Sequence, residues 1–227
     1  MSHFSLSQSA GLTGNDQYTK LLLHFDGVNG STSMLDSNIN TARTWTNPNN
    51  IPLSTSQSKF GGSSLFINNN TYKIQTSSPS PASDISYGGN NFAIDFWFYP
   101  TTRNSSCFIS CHGLYSASYQ FPIAIWQNSS GFPVYQLNYV SGPGPSRTGS
   151  TACTLNAWNH IAITKSGTVM RIFLNGVQGD SWDTSSNVIR TPSGGDDVYY
   201  VGNNSASSGT ANTFYLDEYR HSVGLVS

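Results

Sequence analysis

From Phe92 to Tyr99 the chain reads FAIDFWFY, and Pro100 follows. Side chains alternate faces along an extended strand, so Phe92, Ile94, Phe96 and Phe98 share one side and Ala93, Asp95, Trp97 and Tyr99 the other. The first set is expected to face a core, and Pro100 to end the strand, because proline has no N–H to give to a ladder. Shorter runs rich in β-branched and aromatic residues recur along the chain, each closed by Gly, Asn, Ser or Pro, which is the pattern of an all-β sandwich or barrel.

Helix is disfavoured on separate grounds. Glu218 is the single Glu in 227 residues and charged residues make up only 9%, so no stretch can build the charged outer face of an amphipathic helix. Hydrophobic residues at 37% and aromatics at 13% are enough for one sizeable core without disulfides or a metal. One domain over residues 19–227 is expected, preceded by an aperiodic arm over residues 1–18.

Charge excludes some partners. The formal net charge is −1 with no basic run, whereas a nucleic-acid backbone calls for clustered Lys and Arg. No apolar stretch approaches the roughly 20 residues of a membrane helix, and MSHFSLSQSAGLTGNDQ has neither the basic nor the apolar region of an export signal. Neither a nucleic acid nor a membrane is expected as a partner.

Strands are expected at Lys20–Phe25, Ser64–Asn68 with Tyr72–Gln75 as its hairpin partner, Phe92–Tyr99, Cys107–Ser110, Gln120–Gln127, Val134–Val140, Trp158–Lys165, Thr168–Asn175, Val198–Gly202 and Thr213–His221. Asn175-Gly176 is a strong hairpin signal. The stretches Val140–Ser150, rich in Gly and Pro, and Leu35–Ser58, rich in polar residues, are expected to be surface loops.

Segments LLLHFDGVNG (Leu21–Gly30) with SQSKFGGSSLF (Ser56–Phe66), FAIDFWFYP (Phe92–Pro100), WNHIAITKSGTVMRIFLNG (Trp158–Gly176) and LDEYR (Leu216–Arg220) occur in that order. Together they resemble the laminin-G-like modules of the concanavalin A-like lectin/glucanase superfamily, of the kind found in bacteriophage virion proteins. The resemblance implies a jelly-roll β-sandwich of two antiparallel sheets, with binding sites on a concave face or on rim loops. The chain stops soon after LDEYR, so its first and last strands are expected to pair.

The superfamily includes glucanases, which need two carboxylates flanking the scissile bond. Glu218 stands beside Asp217 on the closing strand, where strand neighbours point to opposite faces, so catalysis by that pair is not expected. Asp95 is read as a strand-face residue hydrogen-bonded to nearby hydroxyls, and His24, His112 and His160 lie in no triad motif. No catalytic residue is assigned. The resemblance also implies a structural calcium ion, for which Asp26, Asp36 and Asp217 are the candidates if first and last strands adjoin; turn capping by Asp26 and Asp36 is the alternative. Asp196-Asp197 is read as turn chemistry. Cys107, Cys111 and Cys153 leave an odd thiol under any pairing, so buried free thiols are expected, with a Cys107–Cys153 or Cys111–Cys153 bridge as the alternative in an oxidising setting.

Sugar recognition needs aromatic platforms beside amide and hydroxyl groups. Trp45, Trp97, Trp126, Trp182 and Tyr119 are the candidates, with Tyr115 and Tyr139 as further aromatics; core packing is the alternative for each. Trp45 and Trp182 lie in polar stretches and are expected to be the most exposed. The expected function is a non-catalytic binding module displayed on a virion surface, as a capsid-decoration or tail-fibre component. Its expected partners are a cell-surface glycan, capsid or tail proteins held through the arm, and further copies of itself, as in a trimer. A lectin or adhesion module of a larger, extracellular protein is the alternative, and a glycoside hydrolase ranks third.

Overall fold

The alternation at Phe92–Pro100 is realised on every residue: one face of the strand is buried and the other half-exposed. A computed structural model describes residues 16–39, 42–69, 71–76, 84–103, 107–113, 121–191, 197–202 and 212–224. Among these there are fifteen strands and no α-helix. They are β1 (Thr19–Leu23), β2 (Trp45–Thr46), β3 (Leu53–Ser54), β4 (Ser64–Ile67), β5 (Lys73–Thr76), β6 (Phe92–Pro100), β7 (Cys107–His112), β8 (Ile123–Gln127), β9 (Pro133–Tyr139), β10 (Gly142–Thr148), β11 (Asn159–Ser166), β12 (Val169–Leu174), β13 (Val177–Asp183), β14 (Tyr199–Gly202) and β15 (Phe214–Val223).

Two antiparallel sheets result. The first runs β13-β12-β11-β6-β15-β4-β3, with β1 also paired to β15; the second runs β10-β9-β8-β7-β14-β5-β2. Their inward faces share one core. Leu21, Phe96, Phe98, Ile161 and Ile163 come from the first sheet, and Ile109, Ile125, Tyr135, Leu137 and Val201 from the second; all are fully buried. Each such side chain contributes about 1.5–3 kcal/mol by leaving water, so period-2 alternation is enough to bind two layers into a jelly-roll sandwich. The first and last strands pair as expected, with Leu22 opposite Arg220 and Leu23 opposite Tyr219.

Three expectations need correction, and the hairpin at Asn175-Gly176 is met. β4 and β5 are not a hairpin: β4 pairs with β15 and β3 in the first sheet, β5 with β14 and β2 in the second. Both carry a core isoleucine, Ile67 and Ile74, and burying each in its own layer outweighs pairing the neighbours. The Gly- and Pro-rich stretch after Val140 does form a strand, β10, at the edge of the second sheet, where a missing proline donor faces no neighbour. A Cβ on Gly144 would stand 2.6 Å from the Leu137 carbonyl oxygen, so glycine there permits the close approach. Beyond Asn175-Gly176 the chain pairs back as β13, a mostly exposed edge strand without apolar alternation. The stretch from Leu35 to Ser58 is a loop interrupted by the short strands β2 and β3.

The core also holds polar groups. The Tyr219 hydroxyl donates to Ser110 Oγ at 2.7 Å and lies 2.9 Å from the Tyr199 hydroxyl, joining the sheets. His112 is buried between the Tyr87 hydroxyl and the Asp197 carboxylate, each 2.9 Å from a ring nitrogen. His221 is buried among Tyr87, Phe92 and Tyr199, and neither of its nitrogens meets a hydrogen-bond partner. Burial pushes the pKa of both histidines down, that of His221 furthest, which keeps them neutral.

Candidate functional site

The site grows from one irregularity in β15. Asp217 stands opposite Trp97 and Arg220 opposite Asp95, so β15 spends three residues where β6 spends two. That is a β-bulge, and Glu218 at its centre has a φ of 53°. Residues opposite each other across an antiparallel pair share a face, so Asp217 and Arg220 lie outward with Trp97 and Asp95. Glu218 joins them, lining the same pocket as Asp95, Trp97 and Arg220. The expectation that Asp217 and Glu218 point to opposite faces therefore fails, because strict alternation holds only in a regular strand.

Around the bulge lies a pocket of about 480 Å³ lined by Leu22, His24, Asp26, Phe60, Asp95, Trp97, Glu218 and Arg220. Its size is that of a small-molecule site. A smaller depression of about 190 Å³ shares His24 and Asp26 and continues over Met34 and Leu35. β1 pairs with the second half of β15 and β4 with the first half, and the loop before β4 lays Lys59 and Phe60 against Trp97. The Lys59 ammonium is 4.0 Å from the Trp97 ring centroid, the Phe60 ring meets the indole edge-on at 6.2 Å, and His160 lies 5.0 Å away.

Asp95, Arg220, His24 and Glu218 are paired. Arg220 Nε donates to Asp95 Oδ2 at 3.0 Å, with His160 Nε2 3.6 Å from the other carboxylate oxygen, and His24 Nδ1 lies 2.9 Å from both Glu218 oxygens. The partner of Asp95 is thus a guanidinium rather than a hydroxyl. Asp217 differs from them all. It is fully buried, Oδ2 accepts from the Lys59 and Phe60 amides at 2.7 and 3.1 Å, and Oδ1 has no partner. Burial pushes its pKa up to about 7, with Glu218 and Asp26 adding repulsion and the two amides opposing.

Backbone strain gathers here too. Among the described residues, five other than glycine have positive φ; three are Asn, which tolerates it, and the others are Phe25 and Glu218, both at this site. Ser63 stabilises the Phe25 turn, its hydroxyl donating to the Phe25 carbonyl at 2.8 Å and accepting from the Gly27 amide at 2.9 Å. Gly61, at φ +57°, lies beneath the Asp26 carboxylate, where a Cβ would be 1.6 Å from Oδ1.

Of the aromatic candidates among the described residues, only Trp97 lines the pocket. Trp45, expected to be exposed, is 8% exposed and part of the core, because β2 turns it inward. Trp182 is half-buried: its Nε1 donates to the Tyr139 hydroxyl at 2.9 Å and the Arg147 guanidinium covers its ring at 3.9 Å, so it fastens the edge of the sandwich. Trp126 packs with Phe108 and Phe121 on a separate cluster of the second sheet. Tyr119, Tyr115, Asp196 and residues 1–15 of the expected arm lie outside the described residues.

Asp26, Asp36 and Asp217 do not converge. The Asp36 carboxylate is taken up by the amides of Leu22, Asn38 and Arg43 at 3.0–3.1 Å, the turn-capping alternative. Among the described residues no three His, Cys, Asp or Glu side chains form a metal-holding group. Cys107, Cys111 and Cys153 are buried and form no disulfide with one another; burial pushes Cys107 up to about 12 and Cys153 to about 11, which leaves both thiols protonated and inert at neutral pH. Sequence reasoning missed Phe60, Lys59 and Arg220 as site residues, and weighed His24 and Glu218 for catalysis alone. Their signal lay in LLLHFDG, SKFGG and LDEYR, segments noted for resemblance rather than for chemistry.

A laminin-G-type family model, described as the concanavalin A-like lectin/glucanases superfamily, matches residues 73–222. The chain belongs to this superfamily. No curated protein matches it. Among solved structures it is similar to the binding domain of botulinum neurotoxin serotype D (TM-score 0.68, 14% identity, 92% of this chain and 48% of that one). A second is botulinum neurotoxin type C, whose cell entry is described as dependent upon interaction with two ganglioside molecules (TM-score 0.65, 13%, 92% and 49%). The receptor binding domain of botulinum neurotoxin type G is a third (TM-score 0.60, 15%, 90% and 47%). The chain spans about half the length of these structures, and at such identity the likeness is one of fold.

Proposed function

We propose that this chain is a non-catalytic carbohydrate-binding module and that the pocket over the β15 bulge is its sugar site. The observation that carries the reading is Trp97: a half-exposed indole on the outward face, beside Phe60 and ringed by the paired polar groups of Asp95, Arg220, His24 and Glu218. An aromatic wall with convergent hydrogen-bonding groups suits a sugar ring, which has apolar faces and a polar rim. The depression over Met34 and Leu35 extends the pocket, which favours an oligosaccharide over a single unit. The fold likeness to toxin binding domains, one described with gangliosides, supports the same class of ligand.

The test is a glycan array followed by calorimetry on the best ligand. Trp97→Ala should stay folded and bind at least tenfold more weakly. Binding unchanged in that variant, or no glycan bound by the native chain, would overturn the reading. Asp95 and Glu218 do share one pocket, as a hydrolase would require, but each already faces a basic partner; reducing ends released from an oligosaccharide would overturn the non-catalytic assignment.

As the finer part of the proposal, the module is displayed on a virion surface, attached through residues 1–18 and repeated as a homo-oligomer. A charge-poor composition supports this. Immunogold labelling of particles tests it, and unlabelled particles would leave the extracellular lectin in its place.

A further inference from the structure

The loop between β3 and β4 carries two of the groups that shape the pocket, and what fixes it is Asp217. We propose that Asp217 is a positioning residue: by holding the Lys59 and Phe60 amides it places the Lys59 ammonium and the Phe60 ring against Trp97, and so sets which ligands reach the indole. This rests on the sugar-site reading only for the identity of the ligand.

The geometry is specific. Asp217 is fully buried, yet one carboxylate oxygen serves two consecutive amides at 2.7 and 3.1 Å while the other has no hydrogen-bond partner. A buried polar atom left unpaired costs free energy, and the carboxylates of Glu218 and Asp26 face it as well. An apolar residue would fill the position without that cost, so the carboxylate is explained by what it holds. It holds the tip of a loop whose base is tied separately, by Ser64 Oγ to the Gln57 carbonyl at 2.7 Å. Beyond the tip the chain turns through Gly61 and Gly62 at φ +57° and +93°, leaving Lys59 and Phe60 over β15.

The consequence for recognition lies with Lys59. Its ammonium is 4.0 Å from the Trp97 centroid and 5.6 Å from that of Phe60, the distance of a cation–π contact. A sugar that stacks on Trp97 must displace it or share the ring with it. Nearby charge comes from the Asp95–Arg220 and His24–Glu218 pairs and from the Asp26 carboxylate, and Lys59 is the cation that the loop places through its backbone amide.

The experiment compares Asp217→Ala with Asp217→Asn. Asn keeps a carbonyl oxygen at the same reach and can accept from both amides; Ala cannot. In the ligand-free protein, amide exchange of Lys59 and Phe60 should rise at least tenfold in Asp217→Ala, and the Trp97 indole resonance should shift as Lys59 leaves it. Affinity for the best array glycan should fall about tenfold, because losing the Phe60 wall of the pocket outweighs freeing the indole of Lys59. Asp217→Asn should restore amide protection, the indole resonance and most of the affinity, a rescue that a merely space-filling role would not give. Should Asp217→Ala fail to fold, Asp217→Ser, too short to bridge both amides, replaces it. Unchanged exchange of the two amides and an unmoved indole resonance in a folded variant overturn the proposal. If no glycan binds the native chain, the sugar-site reading falls alone, because amide and indole readouts still decide the role of Asp217.

Discussion

Strand β15 turns its two faces to two kinds of polar chemistry. Inward, Tyr219 and His221 sit in the sandwich core, where Tyr219 is bonded to Ser110 and His221 is bonded to nothing. Outward, Glu218 and Arg220 reach solvent at the edge of a pocket, each facing an oppositely charged or basic partner. The same backbone serves both because one bulge shifts the alternation. Inside, a polar group must be neutral or fully paired; outside, groups remain charged and available to a ligand.

The largest expected effect separates the faces most sharply. Phe96 is fully buried and stacked on Tyr219 at 5.3 Å, so Phe96→Ala should lower the unfolding free energy by about 3–5 kcal/mol. Trp97→Ala, one residue on, should cost far less stability while removing ligand binding. Urea unfolding of both variants checks this, and equal costs would erase the distinction between the faces.

Acid should act on the two faces with opposite sign. His221 and His112 have folded pKa values below the unfolded value, so their contribution is complete above about pH 6.5 and is lost as pH falls. Asp217 has a folded pKa raised to about 7, so its contribution is complete below about pH 4 and is lost as pH rises to 7. His221→Phe should therefore gain up to about 2 kcal/mol at pH 5, relative to its effect at pH 8, because the unfolded imidazole takes up a proton that the buried ring does not. Asp217→Asn should gain most at pH 8. Denaturation midpoints at the two pH values decide it; a His221→Phe gain independent of pH would show that the buried ring takes up its proton as readily as the unfolded one does.

The smallest effect belongs to the surface pair. Asp95→Asn should cost no more than about 1 kcal/mol, because a partly exposed ion pair gains little in water. A loss comparable to that of Phe96→Ala, read by the same urea titration, would mean that Asp95 and Arg220 belong energetically to the core.

Much of this was legible in the chain. FAIDFWFYP told which residues of β6 turn inward, and LLLHF with LDEYR placed first and last strands side by side. Trp97 was among the aromatic candidates, but so were Trp45, Trp126 and Trp182, and no local pattern separates a ring in the core from one at a pocket. Trp45 sits in a polar stretch and is buried all the same. β10 and β13 were illegible because edge strands need no apolar alternation.

What the sequence determined by itself is the class of fold: the period of its hydrophobic residues decides that two layers of strands share a core, since burying that face is the dominant favourable energy. What only the tertiary structure decided is the site. Asp217 meets Lys59 across 158 positions and Glu218 meets His24 across 194. Such meetings depend on where a strand bulges and which strands become its neighbours, and neither is encoded in any local stretch of residues.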